Sequence, residues 1–255
     1  MEYVGVKSLL DVGCGRGIST SWFYMQGVQV QCVEGSHDAI GKNFLPSLVE
    51  EGKNGDIAKE NVIVEHDFTL GPWWSENTID AIWCVELLEH VSRMYIPNYM
   101  TAFKKAAVVF VTHSTFGGWH HVEVHDDEWW INKFQMYGFV YSHELTNRIR
   151  SVGKEESNAK IPFPLDNDKT YRPIRVTETM LVFINPQVAA RPEHAHLLSE
   201  PGCSEYGSTN VQCGENKERS TRLVTEGSAL TAQYRHLEYK EDQHKKWEEY
   251  LKKNV

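Results

Sequence analysis

The sequence predicts an α/β domain, a three-layer sandwich around a mostly parallel, seven-stranded sheet. Three observations carry that expectation. Short apolar or β-branched runs alternate with helix-compatible segments from the start of the chain, the order that builds βαβ units. The first run ends in a string of glycines that opens a helix. Residues with useful chemistry fall just past the ends of the runs, where open parallel sheets bind their ligands.

The elements follow in order. Lys7–Val12 reads as the first strand and Ile18–Gln26 as the helix after it. Val28–Val33 alternates apolar with polar and reads as the second strand. Asp38–Glu51 is a candidate helix that Gly41 and Pro46 weaken. Val62–Glu65 and Ile79–Cys84 are the third and fourth strands. Tyr99–Lys105 is helical, and Ala106–Thr112, rich in valine, is the fifth strand. Asp126–Tyr137 reads as a helix capped by Asp126 or Asp127. Phe139–Ser142 and Met180–Ile184 complete the seven strands.

After Asn185-Pro186 the composition changes. Residues 186–228 are poor in large apolar groups and rich in Glu, Ser, Gly and Asn, the composition of a disordered linker. Leu230–Leu251 regains helical character, with Tyr234, Leu237, Trp247 and Leu251 among many charges. The expected organisation is one domain over 1–185, a linker over 186–228 and a C-terminal helix over 229–255. That helix is either a solvated surface helix or a site for a protein partner.

Of the 255 residues 41% are hydrophobic and 24% charged, and the formal net charge is −9. These values allow a sizeable core. The acidic balance argues against a nucleic-acid partner, because phosphate contacts call for a basic face. The five cysteines (14, 32, 84, 203 and 213) form no CxxC pair, so neither a zinc knuckle nor a disulfide framework is indicated. Cys14, Cys32 and Cys84 are read as small free hydrophobes. No signal peptide and no apolar run of membrane-spanning length is visible, so membrane insertion is not expected and a reducing, cytoplasmic setting is.

The glycine loop carries the strongest signal. Gly13, Gly15 and Gly17 follow a strand and open a helix, the setting in which backbone can approach a nucleotide closely. Their G-x-G-x-G spacing differs from the G-x-G-x-x-G of dinucleotide folds, which disfavours a nucleotide-sugar dehydrogenase. Leu9-Leu10-Asp11-Val12-Gly13-Cys14-Gly15-Arg16-Gly17 resembles the first motif of the class I S-adenosylmethionine-dependent methyltransferases, a Rossmann-like family. The resemblance implies that S-adenosylmethionine is the cofactor. It further implies that Glu34, beside Gly35 after the second strand, accepts both hydroxyls of the ribose. Asp67 after the third strand would receive the adenine amino group, with Phe68 stacked nearby. Asp11, Cys14 and Cys84 complete the expected cofactor set. Asp80, at the start of the fourth strand, reads as structural.

A second constellation sits beside that loop. In Glu86-Leu87-Leu88-Glu89-His90 the spacing i, i+3, i+4 places the three ionisable groups on one helical face. Past the fifth strand, four of the chain's 12 histidines (His113, His120, His121 and His125) fall within 14 residues. Two chemistries fit. A histidine (His121, His90 or His113), aided by Glu89, can take the proton from an acceptor hydroxyl. Alternatively, Glu86, Glu89, His90 and His121 can hold Mg²⁺, which lowers the hydroxyl pKa. The E-x-x-E-H pattern with a later histidine resembles the metal site of small-RNA 3′-end 2′-O-methyltransferases, and also a stretch of ubiquinone-pathway O-methyltransferases. Glu89 and His90 can equally be structural, capping and satisfying the helix. The segment from Gly118 to Trp130 resembles one in sugar methyltransferases, with Trp119, Trp129 and Trp130 as flat faces for a sugar ring, although Trp129 and Trp130 are equally readable as core. The sequence therefore predicts an O-methyltransferase acting on a small molecule or glycan, sugar favoured. An RNA 3′ end and a cofactor-binding scaffold without turnover are the rivals.

Overall fold

A computed structural model describes residues 4–46, 49, 62–158, 162–163, 166–170 and 173–198. The predicted C-terminal helix, Cys203, Cys213 and most of the predicted linker lie outside the described residues.

The elements are β1 (Ser8–Val12), α1 (Ile18–Met25), β2 (Gln29–Glu34), α2 (His37–Ile40), β3 (Ile63–Glu65), β4 (Ile79–Cys84), α3 (Ile96–Phe103), β5 (Ala106–Val111) and α4 (Asp127–Met136). They continue with β6 (Val140–Tyr141), α5 (His143–Asn158), β7 (Pro162–Phe163), β8 (Asp166–Thr170), α6 (Ile174–Thr179), β9 (Leu181–Ile184) and α7 (Pro186–Ala189). Short 3-10 turns cover Leu88–His90, Arg93–Tyr95 and Pro192–Leu198.

Seven strands form one sheet in the order β3-β2-β1-β4-β5-β9-β6. β1, β2, β3, β4 and β5 run parallel to one another, while β9 runs antiparallel to both β5 and β6. The chain order reverses between β1 and β4, which places the switch-point crevice directly above the glycine loop. Strand alternation divides the core. Leu9, Val30, Ala81 and Phe110 pack with Phe23, Leu145, Val176 and Leu197 on one face. Leu10, Val33, Ile82 and Val109 pack with Tyr99, Phe103, Trp130 and Phe134 on the other. Helices thus cover both faces, as a parallel sheet with apolar residues on both sides requires.

Local rules explain several element ends. The Asp126 carboxylate accepts from the Trp129 N–H at 2.9 Å and caps α4, as the sequence indicated. Gly138, at φ 89°, turns the chain out of α4 into β6. The predicted helix from Asp38 is interrupted: one turn ends at the Gly41 cap, and helical residues resume at Leu45 and Pro46.

Three expectations change. α5 was not foreseen, because its apolar stripe is thin, with Leu145 buried and Ile149 packed against the core. Gly153 lets α6 approach α5: a methyl there would meet Thr177 Cγ2 at 2.9 Å. The described residues also run to Leu198, past the boundary predicted at 185. Leu197 is buried, and His194 and His196 hydrogen-bond the Asp80 carboxylate at 2.7 and 3.0 Å. A composition-based linker prediction misses polar residues that find buried partners. Finally, the side chains of Cys14 and Cys32 meet, with the Cα atoms 5.8 Å apart; neither spacing nor composition signals the pairing of a loop residue with a neighbouring strand.

Candidate active site

The loop between β1 and α1 is set by its glycines. Gly13 adopts φ 75°, and a Cβ there would meet the Leu87 side chain at 3.0 Å. Gly17, at φ 73°, is the N-cap of α1, and a Cβ would collide with the Asn43 carboxamide, whose Cγ lies 2.8 Å away. Side chains with a Cβ are unfavourable at such φ values even in open space. The Gly15 N–H donates to Glu34 Oε2 at 2.7 Å and the Ser36 N–H donates to Oε1 at 2.8 Å. Glu34 is thereby fixed at the end of β2, beside the loop. Asp11 is buried in the sheet and accepts the Thr20 hydroxyl at 2.5 Å. Burial pushes its carboxyl up to about 7, partly offset by that hydrogen bond and reinforced by the Glu34 charge. Its role is to tie α1 to β1.

Gly35 packs on the Asp67 backbone, with Asp67 Cα 3.1 Å from where its Cβ would be, so the ends of β2 and β3 meet. Asp67 Oδ1 accepts from the Thr69 N–H at 2.8 Å and holds the turn after β3. Phe68 is buried edge-on to Tyr99, and Cys84 is a free, fully buried thiol. Both side chains belong to the core behind the crevice.

The second constellation converges through one loop. Glu89 is 0% exposed, and neither carboxylate oxygen has a hydrogen-bond partner. Such a group is costly unless a cation or proton joins it, and burial raises its pKa. One ligand atom each of Glu89, His90 and His121 lies within 4.8 Å of the other two. The Nδ1 of His90 is 3.2 Å from the His120 carbonyl, and the Nδ1 of His121 is 3.0 Å from the Phe116 carbonyl. A carbonyl only accepts, so Nδ1 carries the proton in both rings and Nε2 keeps its lone pair. That is the tautomer a metal-binding imidazole needs. The Val122 and Glu123 N–H groups donate to the Glu89 carbonyl, locking the histidine loop onto the Leu88–His90 turn. Absence of a side chain at Gly118 leaves space for the His121 ring, which lies 2.8 Å from a Cβ placed there.

Glu86 does not join them. A 3-10 turn replaces the expected helical face, Glu86 takes φ 60°, and its carboxylate forms an ion pair with Arg175 of α6 at 2.8 Å. Arg175 also lies over the Phe116 ring, 5.0 Å from its centroid. His113 is fully buried, with Nε2 2.8 Å from Asp127 Oδ1; Asp127 in turn pairs with Arg150 at 3.0 Å. The triad fastens α4 and α5 to the end of β5. Of the three tryptophans, Trp130 is core and Trp129 is covered by the stacked His125 ring at 3.7 Å. Trp119 is 84% exposed.

Sequence reasoning missed Glu123, which is buried and accepts from the Arg93 backbone at 2.7 Å and from its side chain at 3.0 Å. His125 Nε2 lies 2.8 Å from the same carboxylate. An acid between two histidines was the available signal.

A seven-stranded sheet with this order and a glycine loop at its switch point define a class I S-adenosylmethionine-dependent methyltransferase fold. Residues 5–153 match the family described as "Methyltransferase domain", more than half of the chain, and the chain belongs to that family. It is 38% identical over 85 residues to the ubiquinone biosynthesis O-methyltransferase of Burkholderia multivorans, covering 33% of this chain and 34% of that protein. The Paraburkholderia xenovorans protein of the same name is 35% identical over 85 residues, with the same coverage. The chain thus spans about a third of the length of the curated relatives it matches. Among solved structures, the methyltransferase domain of bacterial CtHen1 is similar at TM-score 0.46 and 15% identity, covering 72% of this chain and 91% of that one. Magnesium protoporphyrin IX methyltransferase from Synechocystis, with bound SAH, is similar at TM-score 0.42 and 13% identity, covering 55% and 62%.

Proposed function

We propose that this chain methylates a hydroxyl of a small molecule or glycan, a sugar being favoured, with S-adenosylmethionine as donor. The observation that carries the reading is the buried, unpartnered Glu89 carboxylate converging with His90 and His121 beside the glycine loop. O-methyltransferases among the matched relatives support oxygen as the acceptor atom. The exposed Trp119 face supports a ring-bearing acceptor.

Asp11, Gly13, Gly15 and Gly17 shape the loop around the amino-acid end of the donor. Glu34 offers its carboxylate to the ribose hydroxyls and Asp67 to the adenine amino group. The donor supplies an activated methyl carbon on a sulfonium. The C–O bond forms as the C–S bond breaks, and the electron pair stays on sulfur as a neutral thioether. Alignment and proton removal are what remain for the protein. His121 Nε2 and His90 Nε2, each with a free lone pair, are the groups that take the hydroxyl proton. In the alternative, the same two lone pairs and the Glu89 carboxylate would hold a divalent ion such as Mg²⁺, and the imidazoles would then not take the proton. When bound, that ion supplies Lewis-acid activation of the hydroxyl. Glu86, held by Arg175, lines the site as part of an ion pair. The domain in this reading is residues 1–185, with His194 and Leu197 packed onto it.

The test is methyl transfer from labelled donor to a panel of monosaccharides, glycans, phenols and RNA 3′ ends, with and without chelator. Transfer to a sugar or small-molecule hydroxyl supports the reading. Labelling of RNA alone, or of nothing despite donor binding, overturns it.

A further inference from the structure

Cys14 stands between two loop glycines, and its sulfur lies against that of Cys32 in β2, with the Cα atoms 5.8 Å apart. That separation is one a disulfide spans without moving backbone. Parallel pairing puts Asp11 opposite Cys32 and Val12 opposite Val33, so the loop folds back over β2 as it leaves β1. The two cysteines meet where the loop is braced by other means. Asn43 Nδ2 donates to the Gly15 carbonyl at 3.0 Å and lies 3.7 and 3.9 Å from the two sulfurs. The Gly15 N–H is held by Glu34. Cys32 is fully buried, whereas Cys14 is partly exposed at the mouth of the crevice.

We propose that Cys14 and Cys32 form a redox-controlled clamp on the cofactor loop. Bonded, the pair holds the loop in the shape that takes the nucleoside; reduced, the loop relaxes and binding weakens. The proposal rests on reading this loop as the S-adenosylmethionine site. Exchange proceeds through Cys14, the less buried residue of the pair. A glutathione thiolate attacks it, the S–S bond breaks, and Cys32 leaves as a thiolate that takes up a proton. A second glutathione thiolate displaces Cys14 from the mixed disulfide. The protein gains two electrons and two protons, and glutathione departs as its disulfide. Oxidised glutathione drives the reverse sequence. Linkage makes the effect reciprocal: a ligand that prefers the bonded form shifts the cysteine equilibrium by the same factor.

The experiment uses the full chain equilibrated in glutathione buffers of graded ratio. Alkylation and mass spectrometry read the Cys14–Cys32 linkage, and calorimetry reads the affinity for S-adenosylhomocysteine. The expected result is an affinity about tenfold tighter in the oxidised protein, within the usual range of coupling. Saturating S-adenosylhomocysteine should move the half-oxidation point by the same factor. Cys14→Ser and Cys32→Ser should each bind like the reduced protein and ignore the buffer. The wild-type titration needs neither variant to fold. Equal affinity in both states overturns the clamp alone and leaves the proposed function standing. So does the lack of any Cys14–Cys32 linkage at oxidising ratios. Binding in neither state takes down the loop reading and the clamp together.

Discussion

Arg175 pairs with Glu86 at 2.8 Å, so one of the two carboxylates that the sequence placed on one face has a cation beside it. Glu89, three residues on, has no hydrogen-bond partner for either oxygen.

The two acids therefore differ in what their removal costs. Glu89→Gln should weaken Mg²⁺ binding by more than the roughly 10–100-fold typical of losing an outer-shell partner. Glu86→Gln should change it by about threefold at most, since partly exposed ion pairs contribute little. Calorimetric titration with Mg²⁺ alone reads both. Equal losses would return Glu86 to the ligand set.

Gly17→Ala should fold less stably by about 1–3 kcal/mol, because an alanine is forced to φ 73° against Asn43. Its affinity for S-adenosylhomocysteine should fall at least about tenfold, as the first turn of α1 moves. Chemical denaturation and calorimetry measure the two effects separately.

Trp119→Ala removes an aromatic face that is 84% exposed. Stability and cofactor affinity should not change. For a sugar acceptor KM should rise about tenfold with kcat little altered, the signature of lost ground-state binding. An unchanged KM would place the acceptor elsewhere.

Asp80 gives a pH dependence at the far end of the sheet. Burial raises its pKa, but hydrogen bonds from His194, the Lys7 N–H and His196 outweigh that and hold it down to about 2. A depressed folded pKa stabilises the native state above the unfolded value of 3.8. That stability is lost as pH falls from there through about 2. The contribution is about 2 kcal/mol. Urea unfolding of the wild type between pH 2 and 5 should show the decline, and Asp80→Asn should flatten it while lowering stability at neutral pH.

The sheet and the loop were legible because each is written in adjacent residues. Apolar runs give the strands, Asp126 shows its cap, and Gly13-Cys14-Gly15-Arg16-Gly17 announces the turn. Glu34 was found because it ends a strand beside that turn. What stayed hidden depends on contacts between distant segments. The partner of Glu86 is on α6, the histidine partners of Asp80 lie more than a hundred residues away, and Cys14 meets Cys32 only after β1 and β2 pair. The helical spacing of Glu86, Glu89 and His90 misled because a left-handed residue at Glu86 breaks the helix it assumed.

The docking of His194 and Leu197 bears on how the protein can be shortened. A piece cut at Asn185 would strip two donors from a sunken aspartate and uncover the slot that Leu197 fills. Cleavage beyond Leu198 spares both. Urea unfolding should accordingly find a piece ending after that leucine more stable than one ending at the change in composition.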